Sequence, residues 1–265
     1  MAGAILDSAA ALFTAVPFEV QLGGHCLIVA HLCKHKFENK FALNCVVGFI
    51  FAFGGGLVTS LLLQSAKAPL SFLAGDTIPA FWVVAWWLMM HCPGGVVSSL
   101  FELRAVQGLA FACLGMLRSG IMVQRIDLTR TLHPGTWSGP WLMGVLGGCA
   151  GGMLVDAIEA GSGSSKHLSE LASPGYPLWS AALVSTFHLV TVHWLGALTS
   201  FQSLGLVQSL LVAHVVGSAM AGGSLDWTRP PAALFHALTR IPVPPPKQGA
   251  GPVTRAKALA GQAAA

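Results

Sequence analysis

Charge is what this chain has least of. Asp, Glu, Lys and Arg make up 9% of its 265 residues, and runs of more than twenty residues contain none of them. A soluble domain of this length needs far more charge to cover its surface, so a soluble globular protein is excluded. A disordered chain and a nucleic-acid-binding module are excluded on the same ground. Framework cysteine spacing is also missing. Cys26, Cys33, Cys45, Cys92, Cys113 and Cys149 form no CxxC and accompany no HExxH, so they read as small packing residues and not as disulfides. His31 and His35 have i, i+4 spacing, but with Cys33 they fit no zinc pattern, and no metal site is expected. Phosphate-binding loops and dinucleotide fingerprints are absent from the sequence. "GSGSS" at 161–165 lacks the context of a nucleophile elbow, and residues 202–222 hold no lysine for a retinal Schiff base. No enzyme is expected. The N-terminus has no basic start and carries Asp7 where a positive charge would stand, so no cleavable signal is expected either.

Apolar sequence is abundant: 54% of the residues are hydrophobic and the mean hydropathy is +0.69. Such a composition belongs in a bilayer. Apolar runs of about 20 residues occupy 8–33, 41–64, 77–98, 104–124, 138–158, 177–200 and 202–222. The expectation is an all-α integral membrane protein with seven transmembrane helices over residues 1–222. The first run is interrupted by Glu19, Gln21, His25 and His31, and Pro17 is placed to kink it. Residues 223–265 are proline-rich, basic, and then rich in Ala and Gly, the composition of a disordered tail that can lie on a membrane through its Arg and Lys.

Orientation follows from the loops. With seven spans, one side collects Lys34, Lys36, Lys40, Arg104 and Lys166 together with Arg229, Arg240, Lys247, Arg255 and Lys257 of the tail. The other side has Lys67, Arg125 and Arg130. The positive-inside rule then puts the C-terminus in the cytoplasm and the N-terminus outside or in a lumen.

Three consecutive glycines, Gly54, Gly55 and Gly56, stand inside the second run in "FGGGLVTSLL", although each weakens a helix by about 1 kcal/mol relative to alanine. "CAGGMLVDAI" at 149–158, with Gly151 and Gly152, echoes them in the fifth run. Two groups of three helices, offset by three crossings, have opposite orientations, so the echo suggests an inverted repeat of spans one to three against four to six, with the seventh left over. Paired glycines of this kind either bend helices beside a permeation path or let helices pack closely.

The ordered motifs "PFEV", "FGGGLVTSLLL", "HCPGGVV", "AVQGLA", "AGG", "YPLW" and "STFHLVTVHWL", over residues 17–222, resemble the trimeric intracellular cation (TRIC) channels of endoplasmic and sarcoplasmic reticulum. The resemblance implies a homotrimer with one monovalent-cation pore per protomer, formed by two inverted three-helix repeats with kinked second and fifth helices. The seventh helix would serve assembly. It also implies a luminal N-terminus and a cytoplasmic C-terminus. Animal members carry a Lys-Glu-Val signature and then Thr-Arg in the fourth helix, where the lysine and arginine are associated with an inositol-lipid head group. Here the stretch reads "LGMLR": Leu114, Gly115 and Met116 replace the signature, and Arg118 stands where the arginine is expected.

A charge at the bilayer centre costs about 2.5–3.5 kcal/mol on insertion scales, so Arg118 is expected to face protein, water or lipid head groups. Arg125, seven residues on, shares its helical face, and either senses voltage with it or snorkels at the helix end. Glu19 either draws cations at the pore mouth or pairs with Arg118, and Asp156 suits an interfacial position. His25, His31, His188, His193 and His214 can form a proton relay or serve as hydrogen-bonded contacts between helices. The expected function is a potassium channel, voltage-gated, of an endoplasmic-reticulum-type membrane, with Gly54, Gly55, Gly56, Gly151 and Gly152 at the pore, Arg118 and Arg125 in gating or head-group binding, and Glu19 at the mouth. No cofactor is expected beyond a bound phospholipid and the permeant potassium or sodium. A proton-coupled secondary transporter of a small solute is the alternative, and a purely structural scaffold a third reading. No C-terminal retention signal of the KDEL type is evident.

Overall fold

The computed structural model describes residues 2–34, 41–63, 75–161 and 175–220, together with Trp227, Pro230, Ala233 and Ala237. Apart from those four, the tail assigned to 223–265 lies outside the described residues. So do Lys36, Lys40, Lys67, Lys166, His35 and all of "GSGSS" but Gly161.

Every regular element among the described residues is helical: α1 (Ala2–Thr14), α2 (Phe18–Cys33), α3 (Phe41–Leu63), α4 (Thr77–His91), α5 (Val96–Leu100), α6 (Arg104–Leu132), α7 (Ser138–Gly161), α8 (Tyr176–His188) and α9 (Ser200–Met220). Four of them, α3, α6, α7 and α9, are each long and apolar enough to cross a membrane, and six spans result if the bent pairs α1–α2 and α4–α5 each count as one.

The first expected span, 8–33, is not one helix. Pro17 takes φ −55° and ψ 144°, its ring and missing N–H prevent α1 from continuing, and α2 leaves at 68° to α1. The third, 77–98, also breaks. Pro93 opens a single 3-10 turn, and Gly94 and Gly95 adopt φ of 69° and 64°, left-handed angles that suit glycine. The chain bends by 88° there. The fourth extends past 124 to Leu132, giving 29 residues or about 43 Å at 1.5 Å per residue. The sixth ends its α-helical part at His188 and continues as a π-turn, Leu189–Trp194.

Two cores form. Leu22, Cys26, Phe53, Trp82, Trp86 and Met89 join α2, α3 and α4; Met122, Val145, Cys149, Ala181 and Val184 join α6, α7 and α8, with Val207 and Leu211 added from α9. Helix α6 stands between them, packed on α2, α7 and α9, while α3 packs on α7 and α1 on α9. Leu109, Leu12 and Trp194 lie outside both cores, each at least two-thirds exposed, as side chains facing lipid should be.

Helix ends gather in two layers. Lys34 donates to Ser98 at 2.6 Å, the Phe41 ring meets His91, and Arg104 reaches the carbonyl of Met220 at 3.3 Å. In the opposite layer Gln202 donates to Asp7 at 2.9 Å, Arg130 stacks over Trp137 at 4.3 Å, and Trp137 meets Trp194. Tryptophans so placed suit a membrane–water interface.

Candidate functional site

Neither helix breaks at its glycines: α3 runs through Gly54–Gly56 and α7 through Gly151 and Gly152 as continuous α-helix. What the glycines provide is contact between backbones. A Cβ on Gly54 would stand 2.7 Å from the Cα of Gly151, one on Gly55 would overlap the carbonyl of Gly147, and one on Gly151 would overlap the carbonyl of Phe51. Gly56 faces away, and a Cβ there would have nothing within 4 Å. Thr59, fully buried, returns its hydroxyl to the carbonyl of Gly55 at 2.7 Å, a bond that often bends helices.

The contacts are reciprocal. Aligning "FGGG" with "CAGG" pairs Gly55 with Gly151 and Phe51 with Gly147, and the contacts cross over: Gly55 sits over the carbonyl of Gly147, and Gly151 over the carbonyl of Phe51. The same alignment pairs Ala52 with Gly148 and Gly48 with Gly144. His25 Nε2 of α2 lies 3.0 Å from the carbonyl of Ala52, and Arg118 Nε–H of α6 donates to the carbonyl of Gly148 at 2.7 Å. Gly48 abuts Trp82 of α4 and Cys33 of α2, while Gly144 abuts Ser185 of α8 and Ile126 of α6. Thus His25 occupies in the first group of helices the place that Arg118 occupies in the second, although the sequence reading gave His25 no specific role.

Arg118 extends further. Its Nη2 donates to the carbonyl of Pro177 at 2.5 Å and to Ser180 Oγ at 2.9 Å, and the guanidinium lies over Tyr176, 5.7 Å from the ring centroid. One side chain therefore joins α6, α7 and α8. Arg125 donates to Ser60 Oγ of α3 at 2.9 Å. It is half-buried and seven residues short of its helix end, because α6 outruns the expected span; snorkelling at an end does not describe it. Its Nε is buried without a hydrogen-bond partner. Glu19 is exposed in the first turn of α2, where a carboxylate suits the helix dipole. Gly152 and Asp156 are half-buried on α7.

The five histidines named as a possible relay occupy separate places. His25 lies at the α3 carbonyl, His31 against Phe101 at 5.5 Å and His214 on Tyr176 at 4.1 Å. Only His188 and His193 come together, and they do so on Asp127. Sequence reasoning did not single out Asp127, since 61 residues separate it from His188.

A bundle of apolar helices, crossed on glycine and tied at its carbonyls by a buried imidazole and a guanidinium, defines a polytopic integral membrane protein. Its fold is that of the trimeric intracellular cation channels. A TRIC counter-ion channel solved in work on calcium release superposes with a TM-score of 0.72 at 17% identity, covering 81% of this chain and 98% of that one. A trimeric intracellular cation channel from C. elegans in the absence of Ca2+ gives 0.70 at 14% identity, over 85% of this chain and 100% of that one. A trimeric intracellular cation channel from C. elegans with bound Ca2+ gives 0.67 at 13%, over 82% and 97%. In sequence, trimeric intracellular cation channel type B of Mus musculus is 28% identical over 121 residues, which is 46% of this chain and 40% of the mouse protein. The match therefore spans less than half of that relative. No protein-family model matches the chain. The resemblance read from the motifs is thus met by both the sequence and the fold, and the matched proteins are channels, not enzymes.

Proposed function

We propose that this chain is a monovalent-cation channel, permeable to potassium, that carries counter-ion flux across an intracellular membrane of the endoplasmic-reticulum type. The observation that carries the reading is the reciprocal glycine crossing of α3 and α7, flanked by Arg118 and Arg125, in a bundle with the fold of proteins named as cation and counter-ion channels. Seven crossings are formed by α2, α3, α4 with α5, α6, α7, α8 with its π-turn, and α9. The first six make two inverted repeats, a reading supported by the paired contacts of His25 with Arg118 and of Gly48 with Gly144. Each protomer has its own pore beside the crossing, three protomers assemble, and α9 serves the assembly.

In this arrangement Gly56, which has open space beside it, and its repeat counterpart Gly152 line the path, and backbone carbonyls of α3 and α7 stand near the permeant ion. Arg118 and Arg125 form the gating region. Moving one of these charges across the field is worth about 2.3 kcal/mol per 100 mV, so their displacement makes opening voltage-dependent. When Arg118 leaves Gly148 and Pro177, a phospholipid phosphate is the natural acceptor for its fork of donors. Glu19 draws cations to the mouth. The N-terminus is luminal and the C-terminus cytoplasmic, the orientation that the positive-inside count favours.

The purified protein in potassium-loaded liposomes tests this reading. A channel releases potassium down its gradient at a rate that rises with gradient without saturating at low millimolar concentration and needs no proton gradient. Saturable flux that requires a proton gradient would replace the channel with the carrier.

A further inference from the structure

The contacts of Asp127, His188 and His193 play no part in the pathway just described. Asp127 Oδ1 lies 2.8 Å from Nε2 of His188 and 2.8 Å from Nε2 of His193, and the three donor atoms all fall within 4.8 Å of one another. His188 is fully buried, whereas the side chains of Asp127 and His193 are 32% and 21% exposed. The cluster thus has one buried wall and one open side.

The local backbone produces this convergence. In an α-helix, residues five apart point about 140° away from each other, which would turn His193 away from His188. The chain instead shifts to the i→i−5 pattern of a π-turn over Leu189–Trp194, closed by Leu195 N–H donating to the carbonyl of Val190 at 2.8 Å. That period brings residues five apart onto one face, and such bulges are frequent at functional sites. Gly196, with φ 61°, then turns the chain into α9, whose Ser203 Oγ lies 2.8 Å from His188 Nδ1.

We propose that Asp127, His188 and His193 form a binding site for a divalent transition-metal ion of the zinc class, held by the two Nε2 atoms and the carboxylate, with a fourth position open to water. Two imidazoles and one carboxylate are a ligand set such ions accept. Bonds of about 2.0–2.1 Å in a tetrahedron separate ligand atoms by about 3.3 Å, so each nitrogen needs to withdraw from the carboxylate by about half an ångström. Ser203 serves both states. Without metal its hydroxyl donates to Nδ1 while Nε2–H donates to Asp127; with metal the proton resides on Nδ1, which donates to Ser203 Oγ. Two nitrogens among three ligands select against calcium and magnesium, which prefer oxygen. The ion would fasten the C-terminal part of α6 to the π-turn and the start of α9, close to the layer marked by Trp137 and Trp194.

The full-length protein, stripped with chelator and held in detergent, is titrated with Zn2+ by calorimetry and with Co2+ by visible absorption. The expected result is one saturable site per chain that survives millimolar Ca2+, a four-coordinate cobalt spectrum, and a rise in thermal midpoint on adding Zn2+. His193→Gln and Asp127→Asn should each weaken that site at least about tenfold and lose the thermal shift. Equal binding by wild type and both variants would place the ion elsewhere and overturn the proposal, as would displacement by Ca2+. Should neither variant fold, an absent or six-coordinate cobalt spectrum in the wild type overturns it on its own, leaving the cluster a hydrogen-bonded tie between helices.

Discussion

Three consecutive glycines on α3 are chemically identical and differ only in direction, so alanine at each in turn is a controlled perturbation. Successive residues rotate by about 100°, and the three positions meet different surroundings. At Gly54 the new methyl would stand 2.7 Å from the Cα of Gly151, against an ordinary contact of about 3.4 Å or more, so α3 and α7 must part by roughly 0.7 Å. At Gly55 it meets the carbonyl of Gly147 more closely still, and backbone cannot rotate out of the way as a side chain can. At Gly56 it meets nothing. Overpacking of this kind costs about 1–3 kcal/mol, whereas alanine for glycine in an unobstructed helix position is favourable by up to about 1 kcal/mol. The expected order of thermal stability in detergent is therefore Gly56→Ala at or above wild type, then Gly54→Ala, then Gly55→Ala lowest. Equal midpoints for Gly55→Ala and Gly56→Ala would refute the crossing as the reason for these glycines.

Arg118→Lys keeps the charge and loses the fork that reaches Gly148, Pro177 and Ser180; with hydrogen bonds of charged groups worth about 1.5–3 kcal/mol, the midpoint should fall by at least one such bond and the open probability should change. Trp86→Phe removes the donor at 2.9 Å from the buried Asn44 Oδ1, which should cost about 1–3 kcal/mol in chemical or thermal unfolding, while Trp87→Phe, at a half-exposed position, should cost little. His25→Phe removes the contact with the Ala52 carbonyl, and because that carbonyl remains in its helix, the loss should stay within about 0.5–1.5 kcal/mol.

The lipid environment and the main spans were legible because hydrophobic run length depends on nothing outside the run: α3 begins at Phe41, where its run begins. The register of the glycine echo was legible too, since close backbone approach requires the smallest residue on both helices. Other features depend on partners remote in sequence. Arg125, Asp127 and Arg130 end the apolar run, yet α6 continues through them to Leu132 because Ser60, His188, His193 and Thr136 receive their polar groups. The separate helix α1 was hidden because its apolar residues run straight into those of α2, and only the geometry at Pro17 divides them. The π-turn at "LVTVHW" leaves no compositional mark, so the meeting of His188 with His193 could not be read from α-helical spacing, and Asp127 lies far from both.

Single-channel recording of the purified protein in a planar bilayer, under a potassium gradient, tests the central claim most directly. Discrete currents that reverse near the potassium equilibrium potential, and whose open probability changes in Arg118→Lys, are the result this account predicts. A silent bilayer with substrate-dependent, saturable uptake by the same protein in liposomes would contradict it, and would mean that the channel fold here serves a carrier.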